Sequence, residues 1–317
     1  MILGLLYVGF AVENVDHTRR TFKELFGLPS ERIDPDPFLG TRRGARIAFP
    51  NECWLYLMEP DKRDSLVARY MQAKGPGLER VAFLSDDIEA EFGRVRRAGM
   101  SLPDEALVDT PVGRRFVVPP GHANGVTVEV LQPSKGAWTF CAPADIEGVL
   151  GLQHIGVAAR DLDATCRAFQ EMFDLEPREL RTDQHGGEQK DMVILPGNDR
   201  LWLHVTESWG PQARVRKFME EKGEGLEHLC IEVEDIRQAV RRVTGAGASF
   251  HENKIFTDRP DGFEAFVYPE HTTGVTVELI EPYPTSRGYR EYKPLLSWWR
   301  GGHPARPCPM MKPWKSS

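Results

Sequence analysis

Cysteine is scarce in this chain, with five in 317 residues, at positions 53, 141, 166, 230 and 308. The odd number, the wide spacing and the lack of a CxxC pair argue against a zinc knuckle or a disulfide framework and for reduced thiols in a cytoplasmic protein. Basic residues are also in the minority, 40 against 47 acidic ones for a net charge of −7. The basic footprint that phosphate binding requires is missing, so nucleic acid is not an expected partner. No stretch approaches the roughly 20 apolar residues of a membrane span. The apolar opening MILGLLYVGFAV has neither a basic leader nor a small-residue cleavage site before ENVDHTRR, so it reads as a buried first strand rather than a signal peptide. What is left is a soluble globular chain of ordinary composition, 41% hydrophobic and 27% charged, with length enough for two domains.

What the chain does have is a repeat. LYVGFAVENVDHTRRTFKELFGL from Leu6 matches QHIGVAARDLDATCRAFQEMFDL from Gln153, an offset of 147 residues. GPGLERVAFLSDDI from Gly75 matches GEGLEHLCIEVEDI from Gly223, and GVTVEVLQP from Gly125 matches GVTVELIEP from Gly274, at offsets of 148 and 149. Three blocks in one order at a nearly constant spacing mark a tandem duplication. Each copy is itself doubled, because a strand followed by a helix opens both of its halves. Leu162, Cys166, Phe169 and Phe173 fall at i, i+4, i+7 and i+11, one apolar helical stripe. Asp161 is the expected N-cap of that helix and Gly245 the expected stop of the later one. Short runs such as MVILP, LWLHV, FEAFVY and GVTVELI, broken by Gly, Pro and Asn, read as strands. The expected fold is therefore α+β: four βαβββ units form two tandem modules, with helices outside curled mixed sheets whose other face is free to line a cleft. The modules are expected over 1–135 and 151–282, joined by a linker at 136–150 and followed by a Pro- and Trp-rich tail at 283–317.

The two copies differ where chemistry would sit. The second copy has His154, His204, His228 and Glu278 where the first has Tyr7, Tyr56, Arg80 and Glu129. Imidazoles and a carboxylate at several equivalent positions of one repeat point to a metal, since two neutral imidazoles and one carboxylate leave coordination positions open for substrate. A single histidine on a strand would carry no such weight. His204 is either a fourth ligand or a general base. Arg80 would repel a metal, so the first copy is expected to be metal-free, with Glu129 paired to Arg80. Tyr268, ten residues before Glu278, is read either as a catalytic group that orients a substrate oxygen or donates a proton, or as a packed aromatic. His185, in DQHGGEQKD, is assigned to a loop.

These residues resemble the vicinal oxygen chelate superfamily, which includes glyoxalase I, methylmalonyl-CoA epimerase, resistance proteins and extradiol ring-cleaving dioxygenases. HIGVAARDLD, GLEHLCIEVEDI and YPEHTTGVTVELIEP carry the resemblance, which spans nearly the whole chain to about residue 285. It implies a cleft with one divalent metal held by His154, His228 and Glu278, binding a small substrate through two adjacent oxygens. It also puts His204 where epimerases and glyoxalases have a fourth ligand.

Two enzyme readings follow. The two-module chain with a degenerate first copy, His204 and Tyr268 lean toward an Fe(II) extradiol-type dioxygenase, with His204 handling protons. The longer YPEHTTG turn, and the absence of a histidine in FTDRPDGFEAF, where Asp258, Arg259 and Asp261 stand instead, favour a redox-neutral epimerase, isomerase or lyase. That enzyme would use Zn, Co, Mn or Ni and a carboxylate base such as Glu188 or Asp191. A third reading is a resistance protein that sequesters its ligand, though such proteins tend to lack a full metal set. A homo-oligomer is compatible with all three.

Overall fold

In the computed structural model, the described residues are 1–51, 53–61, 64–134, 146–180, 189–196, 201–210, 213–257, 262–283 and 311–313. His185, Glu188, Asp258, Arg259 and Asp261, most of the linker and nearly all of the tail lie outside them.

The first module runs β1 (Ile2–Ala11), α1 (Val15–Phe26), β2 (Ser30–Ile33), β3 (Thr41–Ala48) and β4 (Trp54–Pro60), then α2 (Leu66–Lys74). Its second half follows with β5 (Gly77–Ser85), α3 (Ile88–Arg97), β6 (Val108–Thr110), β7 (Gly113–Val118) and β8 (Thr127–Pro133). The second module repeats the order with β9 (Val149–Ala158), α4 (Leu162–Phe173), β10 (Pro177–Leu180), β11 (Gln189–Ile194), β12 (Trp202–Ser208) and α5 (Arg214–Lys222). Then come β13 (Gly225–Val233), α6 (Ile236–Gly245), β14 (Gly262–Val267) and β15 (Thr276–Pro282); β16 (Met311–Pro313) adds an outer strand beside β10.

Each module is one eight-stranded mixed sheet, ordered β2-β3-β4-β1-β5-β8-β7-β6 and β14-β15-β13-β9-β12-β11-β10-β16. The α+β expectation holds, with two refinements. A helix joins the two halves of each module, α2 in one and α5 in the other. Among the described residues, the fourth unit has two regular strands after its helix, with a bridge between Phe256 and Glu264 in place of the third.

Local chemistry explains why the helices start where they do. Asn14, Asp87, Asp161 and Asp235 occupy equivalent N-cap positions, and each side chain accepts from the backbone N–H three residues on, at 2.8–3.1 Å. Four units therefore share one start signal. Leu162, Cys166, Phe169 and Phe173 are buried as their spacing implies. Gly245 is instead the last residue of α6, and the left-handed turn that ends it is made by Gly247, at φ +87°. A glycine two residues later suits the chain reversal better, because only there does the backbone enter the region that side chains resist.

One apolar core runs through both modules. Phe83 of β5 packs edge-on against Phe169 and Phe173 of α4, with centroids 6.4 and 5.5 Å apart. Polar contacts cross the junction in a pattern that repeats under a half-turn. Lys74 donates to the Glu224 carbonyl of the other module, and Lys222 donates back to the Pro76 carbonyl at 3.0 Å. Thr18 meets Thr273 at 3.0 Å and Thr165 meets Asn124 at 3.2 Å. Burial lowers both lysine pKa values, so these ammonium groups are held close to backbone oxygens with little water around them. Two glycines permit this approach: a Cβ on Gly125 (φ +87°) would lie 2.4 Å from the Glu224 backbone, and one on Gly274 (φ +111°) would lie 2.7 Å from the Pro76 oxygen.

The junction is therefore expected to tolerate no side chain at these points. Gly99→Ala, at a positive φ with open space around it, should cost about 1–3 kcal/mol for backbone strain alone. Gly125→Ala should cost roughly 1–3 kcal/mol more through overpacking, read as a lower urea midpoint for the whole chain.

Candidate metal centre

The two sheets present opposite solutions to the same layout. In the second module, three adjacent strands bring His154 (β9), His228 (β13) and Glu278 (β15) to one point. His154 Nε2 lies 3.1 Å from His228 Nε2 and 3.3 Å from Glu278 Oε2, and the His228–Glu278 separation is 3.1 Å. All three residues are buried. The backbone makes this convergence possible in two ways. Gly156 stands opposite His228 in the β9–β13 ladder, and a Cβ there would sit 2.0 Å from the imidazole. Register shifts leave Gln153 and Glu227, the residues just before the two histidines, unpaired as bulges that turn their side chains toward the ring nitrogens.

Those two side chains fix the imidazoles. Gln153 Oε1 is 3.1 Å from His154 Nδ1, and Glu227 Oε2 is 2.5 Å from His228 Nδ1. With both Nδ1–H groups donated outward, both Nε2 lone pairs face a carboxylate oxygen. Three acceptors about 3 Å apart repel one another unless a cation lies between them. Ligand atoms about 2.1 Å from one ion, at right angles around it, would have about this spacing. The residues therefore fit a divalent metal. Burial pushes the His154 pKa down to about 4, leaving the ring neutral at physiological pH. Burial alone would raise the Glu278 carboxyl; the two imidazoles, whenever they are protonated, pull it well below the usual range instead. For His228, burial is outweighed by the Glu227 carboxylate and the pKa rises.

His204 (β12) is beside this group but turned from it. Its ring meets His154 edge-on with centroids 5.2 Å apart, while its Nε2 is 3.2 Å from Asp191 Oδ1 on β11. Asp191 is buried and also accepts from Thr206 at 2.8 Å and Gln189 at 3.0 Å. Burial would raise its pKa, but the His204 bond and charge keep it lowered. Trp202 stacks on His154 at 6.0 Å and Phe266 lies edge-on to His228 at 6.3 Å. Tyr268 follows β14, with its ring against His251 at 5.8 Å, and makes no hydrogen bond to the three convergent residues among those described. Residue-by-residue reading missed Gln153, Gly156, Glu227 and Arg214. Glu227 was visible in the repeat, since GLE precedes both His228 and Arg80.

In the first module the matching space is filled, so among the described residues its inner face lines no cleft. Leu6, Tyr7, Leu39, Trp54, Tyr56, Met58 and Leu131 form a separate buried cluster there. Arg80 Nη1 lies 3.2 Å from Glu129 Oε2, and Tyr7 donates to the same oxygen at 2.7 Å. Glu79 binds Arg80 from the other side. Arg115 bridges Glu129 at 3.2 Å and Asp36 at 2.6 Å. The expected Arg80–Glu129 pair is thus present, inside a larger network.

One metal per chain is the expected stoichiometry. His228→Ala and Glu278→Ala should each abolish it in equilibrium metal analysis. Arg80→Met should keep it while losing roughly 3–5 kcal/mol of stability, because it leaves buried carboxylates without their cation.

A family model described as the glyoxalase/bleomycin resistance protein/dioxygenase superfamily matches residues 7–118 and again 153–266. The chain is 28% identical over 132 residues to ethylmalonyl-CoA/methylmalonyl-CoA epimerase of Cereibacter sphaeroides, covering 40% of this chain and 95% of that one. It is 21% identical over 136 residues to mitochondrial methylmalonyl-CoA epimerase of Dictyostelium discoideum, covering 42% of this chain and 80% of that one. Over both modules it superposes on a mutant 4-hydroxymandelate synthase from Streptomyces coelicolor, with a TM-score of 0.63 and 18% identity, covering 89% of this chain and 93% of that one. A fusion of a xylose isomerase-like TIM barrel with a 4-hydroxyphenylpyruvate dioxygenase superposes at a TM-score of 0.58 and 17% identity, over 91% of this chain and 50% of that one. With both modules matched separately, the chain belongs to the glyoxalase/bleomycin resistance protein/dioxygenase superfamily.

Proposed function

We propose that this protein is a divalent-metal-dependent enzyme, and specifically an Fe(II) extradiol-type dioxygenase acting on a small substrate that chelates through adjacent oxygens. The observation that carries the reading is the ligand count. Two imidazoles and one carboxylate converge, while His204, which a four-ligand epimerase-type site would recruit, is committed to Asp191. A two-histidine, one-carboxylate face with open positions is the arrangement of non-haem Fe(II) oxygenases. When bound, the metal supplies Lewis acidity to two neighbouring substrate oxygens and a place for O₂.

The chain's own groups then divide the work. His154, His228 and Glu278 hold the ion. His204, whose Nε2 is tied to the buried Asp191 carboxylate, has Nδ1 left to accept the proton that a substrate hydroxyl must lose to chelate. Asp191 stabilises the imidazolium that results, the logic of a base oriented by a third group. Trp202 and Phe266 give the cleft flat apolar walls suited to a planar ring. Tyr268, just past β14, is proposed to orient an outer substrate oxygen.

A second reading has its own support. The curated relatives named above are epimerases, and an Asp191–His204 pair is equally suited to moving a proton to and from carbon. In that case the enzyme is redox-neutral and uses Zn, Co, Mn or Ni. The third possibility, ligand sequestration, has no observation in its favour that a complete metal-ligand set does not outweigh.

Anaerobically purified protein should contain near-stoichiometric iron and consume oxygen with some members of a panel of catechols and hydroquinones. Activity with Zn, Co or Mn and no oxygen consumption, with solvent deuterium entering the substrate, would replace this reading with the second. His204→Ala should lower kcat by about 10²–10⁴-fold while one metal ion per chain stays bound.

A further inference from the structure

The two histidines that face Glu278 are backed by different chemistry. His154 Nδ1 meets the neutral amide oxygen of Gln153 at 3.1 Å, whereas His228 Nδ1 meets the carboxylate of Glu227 at 2.5 Å. Glu227 is buried and cannot hold its charge alone. The Arg214 guanidinium, at the first turn of α5, binds its other oxygen. Arg214 is in turn seated over the Phe266 ring, 4.5 Å from the centroid. The result is a relay running from α5 through Arg214, Glu227 and His228 to the point where the three acceptors converge.

We propose that Glu227 is a positioning residue that acts through His228, fixing its tautomer and strengthening it as a donor, so that metal affinity and the metal's electronic environment are set from α5. This rests on the reading of His154, His228 and Glu278 as metal ligands. Three observations support it. A β-bulge isolates Glu227 from the ladder and turns its side chain inward, which a residue serving only the sheet has no need of. The first module keeps Glu79 at the same place, next to Arg80, so the carboxylate holds whichever functional cation or ligand follows it. The second bulged residue, Gln153, makes the same contact without charge, so the charge on Glu227 is not required merely to orient a ring. Outer partners of this kind typically change metal affinity by about 10–100-fold when removed.

Glu227→Gln tests the charge while keeping shape and an acceptor oxygen. In metal-free protein titrated with Co(II) against a competing chelator, the variant should bind about 10–100-fold more weakly than the unmodified protein. The visible bands of the Co(II) form should also shift, a change that a purely structural role would not produce. Affinity within twofold and unshifted bands would overturn the proposal. Should Glu227→Gln fail to fold, ¹⁵N NMR of the unmodified metal-free protein decides: His228 should carry its proton on Nδ1, with Nε2 unprotonated, and a proton on Nε2 instead would overturn it. The two readings fail differently. Unmodified protein that binds no Co(II) would refute the ligand assignment, whereas normal binding with an unaffected Glu227→Gln would refute only the relay.

Discussion

A carboxylate buried without a cation is among the most costly features a protein interior can contain, and both modules bury one at the same point. Glu129 and Glu278 occupy equivalent strands, each beside the central antiparallel pair of its sheet. In the first module the compensation is covalently built in: the Arg80 and Arg115 guanidiniums and the Tyr7 hydroxyl all reach Glu129. In the second, two imidazoles take their place, and lone pairs face lone pairs until a cation is supplied from outside. The same need for positive charge thus gives a sealed structural network in one copy and, on the function proposed above, a metal centre in the other.

The surroundings follow from that choice. An internal cation allows the space above it to be packed, and in the first module Leu39, Trp54, Tyr56 and Met58 do so. An exchangeable cation needs an open approach, and in the second module aromatic walls and a partly exposed His204 surround the convergent residues instead. Glu79 and Glu227 are common to both states because each module must hold the side chain that follows, guanidinium in one and imidazole in the other.

Much of this was legible in the sequence because duplication provides its own comparison. The offset blocks marked the two modules, and the exchange of Tyr7 and Arg80 for His154 and His228 pointed to the residues that converge in the second. The helix starts were readable from Asn14, Asp87, Asp161 and Asp235, since an N-cap is a local interaction. Gln153 was not, and the shared GLE marked Glu227 without giving its role, because both roles depend on bulges, and a bulge is a register relation between two strands distant in sequence. Gly156 escaped for a related reason: the space it leaves is filled by a ring 72 residues away. The pairing of His204 with Asp191 needs the β11–β12 register, and spacing alone left the histidine between two roles. The filling of the first module's cleft depends on the loop that carries Leu39 folding inward, which no periodicity encodes.

The crossed contacts at the junction, Lys74 to one module's glycine turn and Lys222 to the other's, describe a half-turn relation within a single chain. Two identical chains meeting in this way would have to accept every substitution twice, once in each cleft. Here the two halves of the clasp are encoded separately, so a mutation alters one module and leaves its counterpart as it was. That independence lets one half become a rigid foundation while the other keeps the coordination site proposed for it, a division of labour that a symmetric pair cannot reach.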